Sequence, residues 1–153
     1  MLRERLEILV SELVKKEGWM VKDVRIGKEL VVSVEDKVGV LAEITALVAD
    51  HGISITAITA TGTSGTAVIQ FLTDDNLRSK DALKAKGYDV DEREVVLVEL
   101  ENKPGALKLI SKKLTDENIN FSYLYGSTCS GSCAATIVFS STDNEKAVVN
   151  LKQ

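Results

Sequence analysis

The apolar residues of the chain follow the same pattern twice. A Val-rich run over residues 29–35 predicts a buried strand, and apolar residues then recur at helical spacing over 41–48. The same succession returns over 95–101 and 107–114, at a constant offset of 66 residues. An internal repeat of this kind indicates two related folding units in one chain.

After its first helix, each copy continues with a second strand, a turn rich in Gly and Ser, a third strand and a second helix. The second and third strands are predicted over 53–61 and 66–72 in the first copy and over 119–127 and 134–140 in the second. Acidic and Asn residues at 74–76 and 143–144 are predicted to open the second helices. In the first copy this helix ends at Gly87, and a fourth strand begins at 88–90. The order β-α-β-β-α-β predicts an α+β fold of two ferredoxin-like units.

The first helix of each copy is flanked by residues suited to helix ends. Asp36 and Asn102 precede the two helices and are predicted N-caps, because a short polar side chain can accept a hydrogen bond from the first turn. Gly52 and Asn118 follow the helices, and these residue types best tolerate the left-handed conformation at a helix C-terminus.

The second copy ends before its unit is complete. Its last helix pattern reaches Gln153 without a fourth strand, whereas a surplus helix and strand pattern precedes the first copy at residues 1–27. The segment VKKEGWMV at 14–21 resembles LKAKGYDV at 83–90, which is the end of the first unit.

We therefore predict that the N-terminal helix and strand complete the second unit, either within the chain or by exchange in a dimer, since natural proteins usually cover an open sheet edge. The alternative is that residues 1–27 form a plain dimerisation helix or a remnant of another domain. The predicted organisation is an N-terminal helix–strand extension and two units, at 1–28, 29–93 and 94–153.

The composition is that of a soluble folded protein. The 153 residues are 44% hydrophobic and 27% charged, with a net charge of −4. No apolar run approaches the roughly 20 residues of a membrane span, and the N-terminus, with acids among its bases, is unlike a signal or transit peptide. The mild acidity argues against nucleic-acid binding, which requires clustered Lys and Arg. We expect a cytoplasmic protein with neither a membrane nor a nucleic-acid partner.

Few residues suggest catalytic or metal chemistry. Cys129 and Cys133 lie in TCSGSC at a predicted hairpin tip, where two reduced thiols are the favoured interpretation and a redox-sensitive disulfide is the alternative. A zinc site needs more ligands than this pair, and His51 is far away in the sequence. The Gly- and Ser-rich turns lack the Lys and the spacing of a phosphate loop, and no nucleophile–base pair is visible. We expect no enzymatic activity, no metal and no cofactor.

The phrase NKPGAL at 102–107, followed by a helix and by NINF at 118–121, resembles the ACT domain family. The resemblance covers residues 29–93 and 94–153, and the whole is similar to stand-alone tandem ACT proteins, which have two units and no catalytic domain. It implies a regulatory protein that binds an amino acid or a related small molecule. It also implies a homo-oligomer, with a dimer as the expected form, and a metabolic enzyme or regulator as a further partner.

Two other interpretations remain beside this resemblance. One is a structural module, or a regulatory subunit that docks on a metabolic enzyme without binding a small ligand. The other is an enzyme on a ferredoxin-like scaffold, supported only by His51 and the two cysteines. Fold alone does not decide between them.

ACT domains usually bind ligand where the loop between the first strand and first helix faces the start of a neighbour's second strand. In the second unit the resemblance implies a site formed by Asn102, Gly105, Ala106, Leu107, Asn120 and Phe121. In the first unit the matching loop residues are Asp36, Gly39, Val40 and Leu41. The exposed N–H groups of a helix N-terminus suit a ligand carboxylate.

The sequence departs from the serine-sensing ACT pattern at one place in the second unit and at three places in the first, where Val34, Asp36 and Ser54 replace the His and the two Asn. Leu100 stands where those domains have a His, and Asp36 stands where they have the first Asn, which Asn102 matches in the second unit. An Asp would repel a ligand carboxylate, so the loop of the second unit is the favoured site. Helix capping alone is an equal alternative for Asn102 and the preferred interpretation for Asp36.

Overall fold

The described part of the computed structural model comprises residues 1–5, 8, 20–128 and 130–152. A short helical stretch at residues 2–5 precedes the first strand, and most of the helix predicted over 1–17 lies outside the described residues. The elements that follow are β1 (Val21–Glu35), α1 (Val40–Asp50), β2 (Ile55–Thr63), β3 (Thr66–Thr73), α2 (Asn76–Ala85), β4 (Val90–Leu100), α3 (Ala106–Asp116), β5 (Phe121–Ser127), β6 (Ala135–Ser141) and α4 (Asn144–Leu151). No helix among the described residues has the length and apolar character needed to span a membrane.

The strands form one six-stranded antiparallel sheet in the order β2-β3-β1-β4-β6-β5. The two long strands, β1 and β4, lie side by side at its centre and pair from Val21 with Leu100 to Val32 with Val90. Strand β3 pairs with the second half of β1, and β6 pairs with the second half of β4. This architecture confirms the predicted α+β fold with ferredoxin-like units.

The N-terminal strand completes the second unit within the same chain. Residues 21–27 of β1 pair with 95–100 of β4, which is the fourth-strand position that the second copy lacks. The sequence pattern predicts a short N-terminal strand and a separate strand over 29–35, but the structure joins them into β1. Gly27 stays extended there because its missing side chain makes room for Leu97, whose Cδ1 would lie 2.5 Å from a Cβ at this position.

Each pair of helices covers a separate core on one face of the sheet. Helices α1 and α2 pack on the half that contains Leu30, Ile69 and Phe71. Helices α3 and α4 pack on the half that contains Val96 and Phe139. Neighbouring residues along β4 point to opposite faces, so a third, smaller cluster lies on the other side of the sheet. We call that side the inner face.

The N-caps of the first helices differ from the prediction. Gly39 and Gly105 occupy the N-cap positions of α1 and α3, with φ of +95° and +92°. Asp36 and Asn102 lie three residues earlier, so their predicted role as N-caps is wrong. The reason is that each loop makes a further turn through a left-handed Gly before the helix begins. Capping therefore does not explain Asp36 or Asn102.

The other predicted helix signals are confirmed. Gly52 and Asn118 have positive φ of 68° and 56° after α1 and α3. Asp75 and Asp143 are the N-caps of α2 and α4, and each carboxylate accepts a hydrogen bond from the main-chain N–H three residues later. These two aspartates are 68 residues apart, because the β5–β6 connection is longer than the β2–β3 connection.

Replacing Gly105 with Ala should lower the free energy of unfolding by about 1–2 kcal/mol, because a Cβ disfavours the left-handed conformation. A Cβ there would meet no atom within 4 Å, so the cost comes from the backbone alone. Gly39→Ala is the matched variant in the first unit and should cost the same amount. Urea denaturation of both variants measures the effect, and wild-type stability for either one would contradict it.

Candidate functional site

The loop that joins β4 to α3 lies at the end of the sheet where β5 also ends. Leu100 pairs with Ala135, and Ser127 pairs with Thr136, so the ends of β4 and β5 flank the start of β6. A cavity of about 300 Å³ lies between residues 100–107 and residues 126–128. We call it the loop cavity. Its volume is at the lower end of the range of small-molecule sites.

Three of the predicted site residues line the loop cavity. They are Asn102, Ala106 and Leu107, and Gly105 supplies the turn between the first two. Ala106 is buried, whereas Leu107 is 45% exposed at the start of α3. The sequence thus predicts one wall of a real cavity, because the loop and helix start are local in the chain.

Charged residues border this wall. Glu101 and Lys103 also line the loop cavity and form an ion pair of 2.7 Å. The hydrogen bond from Lys103 lowers the pKa of the Glu101 carboxyl below its ordinary value. The Glu101 carboxyl is therefore ionised at neutral pH, and the cavity rim carries this ion pair.

Asn120 and Phe121 lie at the opposite end of the second unit. Phe121 pairs with Ser141, which is six residues along β6 from Ala135. At ~3.4 Å per residue, these predicted site residues are about 20 Å from Asn102. Phe121 packs edge-on against Phe139, and the main chain of Asn120 bonds to Thr142. One chain therefore does not bring the two groups of predicted residues to a single ligand.

In the matching loop of the first unit, the Asp36 carboxylate lies against the main chain of a neighbouring strand. A Cβ at Gly62 would lie 2.4 Å from Asp36 Oδ2, so this oxygen lies directly against the main chain of β2. The Asp36 N–H also bonds to the Gly65 carbonyl at 2.9 Å. Val40 is buried and Leu41 is 43% exposed, as at the matching positions of α3. In the repeat, Gly62 matches Thr128, a wall residue of the loop cavity.

The inner face of the sheet holds a polar cluster that the sequence did not predict. Glu29 is fully buried there. Gln70 Nε2 donates to Oε1 at 2.9 Å, Tyr125 donates its hydroxyl to Oε2 at 2.9 Å, and the Tyr123 hydroxyl donates to Oε1. We call these residues the Glu29 cluster. The recurrence of Tyr at 123 and 125 was the one available signal, because alternate residues of a strand share a face.

The Glu29 cluster requires a curled sheet. Glu29 is on β1 and the two tyrosines are on β5, with β4 and β6 between them. At ~4.8 Å between neighbouring strands, β1 and β5 would be about 14 Å apart in a flat sheet, with their side chains standing perpendicular to it. The hydrogen bonds therefore hold the edge strand β5 over the centre of the inner face.

The curl brings the two edge strands close enough to share a cavity. About 330 Å³ of space lies between residues 56–58 of β2 and residues 125–128, at and just after the end of β5. We call it the edge cavity. Tyr125 lines it while its hydroxyl reaches Glu29. Burial and the Glu29 carboxylate raise the pKa of Tyr125 well above its ordinary value, and the same two causes raise the pKa of Tyr123.

The β5–β6 connection differs from the expectation of reduced thiols. Cys133 is disulfide-bonded, and the only other cysteine in the chain is Cys129, which lies outside the described residues. Small residues separate the two positions, and Gly131 has φ of +106°, so the chain can reverse tightly here. A further cavity of about 350 Å³ lies between residues 131–133, Lys22 and residues 101–103. We call it the tip cavity.

Comparison with known proteins gives a family match in the first unit. Residues 28–86 match the sequence model of the ACT domain family. The chain is similar to protein BT0572 from Bacteroides thetaiotaomicron, with 25% identity, a TM-score of 0.79, and coverage of 84% of this chain and 88% of that chain. A search among curated proteins found no match.

The chain also resembles the regulatory subunits of aspartate kinase from Thermus thermophilus, in its ligand-free form, and from Thermus flavus. Each is 14% identical, with TM-scores of 0.61 and 0.57, and each comparison covers 88% of this chain and 97% of that one. The family match confirms the resemblance to ACT domains over residues 28–86, and the structural likeness shows that a related fold extends over both units.

Proposed function

We propose that this chain, in which residues 28–86 form an ACT domain, is a non-catalytic regulatory protein that binds an amino acid or a related small molecule at the loop cavity. The observation that carries the proposal is the position of Asn102. It is not the N-cap of α3, and it lines a cavity of about 300 Å³ that opens beside the start of that helix.

The chemistry of the loop cavity suits a zwitterion. The Ala106 N–H bonds to the Lys103 carbonyl, but the next N–H groups of the first turn of α3 have no acceptor within the helix. The positive end of the helix dipole also favours a carboxylate there. The charged Glu101 carboxylate on the rim can attract a ligand ammonium. The Asn102 amide can donate and accept hydrogen bonds and would orient the ligand between these two groups.

A second copy of the chain would complete this site. Asn120 and Phe121 are about 20 Å from Asn102 within one chain, so the facing strand start has to come from a neighbour. Leu107 is 45% exposed at the start of α3, and Leu124 is 37% exposed on the edge strand β5. Ligand that contacts both copies would favour the associated state, and this shift in population would be the regulatory signal.

The first unit would not bind the same ligand. The Asp36 carboxylate lies against Gly62, where the second unit has open space lined by Thr128. This charge would repel a ligand carboxylate, and the Asp36 side chain already occupies the matching space. We therefore expect one ligand for each chain.

A metabolic enzyme is the proposed regulated partner. Support comes from the likeness to the regulatory subunits of aspartate kinase, at the level of the fold. The strands β2 and β5 are the edges of the sheet and carry the exposed side chains of Ile58 and Leu124. These edges favour docking on an enzyme as the second candidate function, with no small ligand involved.

A thermal-shift screen of the twenty amino acids would test the ligand proposal. A ligand at about 100 times its Kd adds about 2.7 kcal/mol of stability, which is a shift of several degrees for a chain of this size. Asn102→Ala should weaken the binding of the hit about tenfold, which corresponds to one lost hydrogen bond. Asp36→Ala is the matched control and should leave the affinity for the hit unchanged.

Two outcomes would contradict this proposal. A flat screen at millimolar concentrations would exclude amino-acid sensing and favour the docking function. A hit that survives in Asn102→Ala and disappears in Asp36→Ala would move the site to the first unit. Circular dichroism of both variants separates a lost site from a lost fold.

A further inference from the structure

The loop cavity, the edge cavity and the tip cavity meet at one segment, the end of the β5–β6 hairpin. We call residues 126–134 the hairpin tip. Residues 126–128 line both the loop cavity and the edge cavity, and Cys133 lines both the edge cavity and the tip cavity. Residues 101–103 are shared by the loop cavity and the tip cavity. The conformation of the hairpin tip therefore determines the shape of the space beside Asn102.

The two units hold their hairpins by different means. In the first unit, β2 and β3 are joined by Ser64 and Gly65, with φ of 52° and 85°, which is the tight two-residue turn typical of a β-hairpin. In the second unit no strand is present between Ser127 and Ala135 among the described residues. This connection is longer, and it contains the disulfide-bonded Cys133.

The tip is accessible to a reagent in solution. Ser130, Gly131 and Ser132 are exposed, and Cys133 is only partly buried. A short covalent loop removes conformational freedom from the segment that it closes. Cleavage of the disulfide would return that freedom to the residues that form the cavity walls.

We propose that the disulfide of Cys133, formed with the only other cysteine of the chain, is a redox modification site that controls the loop cavity. With the disulfide intact, the hairpin tip faces residues 101–103 across the tip cavity, and residues 126–128 form a wall of the loop cavity. With the disulfide reduced, the tip loosens and the cavity loses its β5 wall. This inference adds regulation to the proposed ligand site, and its first test does not require that a ligand be known.

The modification is a thiol–disulfide exchange with a dithiol reductant. A thiolate of the dithiol attacks one sulfur of the protein disulfide, and the other protein sulfur leaves as a thiolate. The second thiolate of the reductant then attacks the mixed disulfide and displaces the first protein sulfur. Two electrons pass from the dithiol to the protein. The reductant becomes a cyclic disulfide, and the protein thiolates take up protons according to the pH.

Amide hydrogen exchange of the full chain, with and without dithiothreitol, tests the coupling between the tip and the loop. Alkylation followed by intact mass first shows whether the purified protein contains the disulfide. On reduction, exchange should become about tenfold faster both at residues 126–134 and at residues 101–107. The matching loop of the first unit, residues 35–41, is the internal control and should not change.

Cys133→Ser should reproduce the reduced state and make the exchange insensitive to dithiothreitol. Two free thiols in the air-oxidised protein would overturn the proposal. So would faster exchange that is confined to the hairpin tip, because residues 101–107 would then not sense the disulfide.

A second measurement tests whether the disulfide controls ligand binding. The Kd of the amino acid found in the thermal-shift screen should rise about tenfold on reduction, and equal affinity in both states would overturn the control of binding. If no amino acid binds in either state, the proposed ligand function fails independently of the disulfide proposal. The exchange data then still decide whether the disulfide shapes the cavity.

Discussion

Replacing Glu29 with Ala should lower the free energy of unfolding by about 3 kcal/mol. Glu29 is fully buried and accepts hydrogen bonds from Gln70, Tyr123 and Tyr125. The substitution leaves these donors without their acceptor and opens a small cavity, and both effects destabilise the folded state. For a chain of this length the loss corresponds to roughly 6–12 °C in Tm.

Two further variants separate the hydrogen bonds from the change in volume. Glu29→Gln keeps the volume and one acceptor oxygen, so about 1–2 kcal/mol should be lost. The triple variant Glu29→Leu, Tyr123→Phe, Tyr125→Phe removes the acceptor and two of its three donors, and only Gln70 is left without a partner from the cluster. It should recover about half of the stability lost in Glu29→Ala. Asp91→Ala removes an exposed carboxylate from β4 and should change stability by less than about 0.5 kcal/mol. An equal loss for Asp91→Ala and Glu29→Ala would falsify the role of the cluster.

The sequence does not identify Glu29 because its partners are remote. A single carboxylate before a Val-rich run has the pattern of a solvent-facing strand end. Its donors lie 41, 94 and 96 residues away in the chain. They meet only because the sheet curls, and curling depends on long-range strand pairing that local periodicity does not record.

The element order is predictable because each unit carries its own local signals. Positive φ at Gly52 and Asn118 and the N-caps Asp75 and Asp143 all follow from residue type at a helix end. The joining of strands is not predictable in this way. Residues 21–28 and 29–35 form one strand because β4, which is remote in the sequence, pairs with both segments.

The candidate site also has one part that local sequence signals predict and one part that depends on long-range strand pairing. Asn102, Ala106 and Leu107 form one wall of the loop cavity, and their relation is local to one loop and one helix. The opposite wall comes from residues 126–128, which are placed by the pairing of β5 with β6. Sequence analysis instead assigned Asn120 and Phe121, from the other end of β5. That assignment requires a neighbouring unit whose second strand faces the loop, and it stays a prediction.

Alkaline pH should destabilise the protein more steeply than a protein without the Glu29 cluster. The pKa values of Tyr123 and Tyr125 are raised in the folded state by burial and by the Glu29 carboxylate. Above pH ~10 the unfolded chain releases these protons while the folded chain retains them, so the unfolded state gains free energy of ionisation. The stabilisation is therefore complete below pH ~10 and is lost as the pH rises beyond it.

Linkage sets the size of this effect. Each tyrosine contributes a slope of up to about 1.4 kcal/mol per pH unit, so the pair contributes up to about 2.7 kcal/mol between pH 10 and pH 11. Urea denaturation of the wild type and of Tyr123→Phe, Tyr125→Phe at pH 8, 10 and 11 measures the slope. The difference between the two proteins cancels the lysines and Tyr88, which both retain. Parallel stability curves above pH 10 would show that Glu29 does not hold the tyrosines in their neutral form.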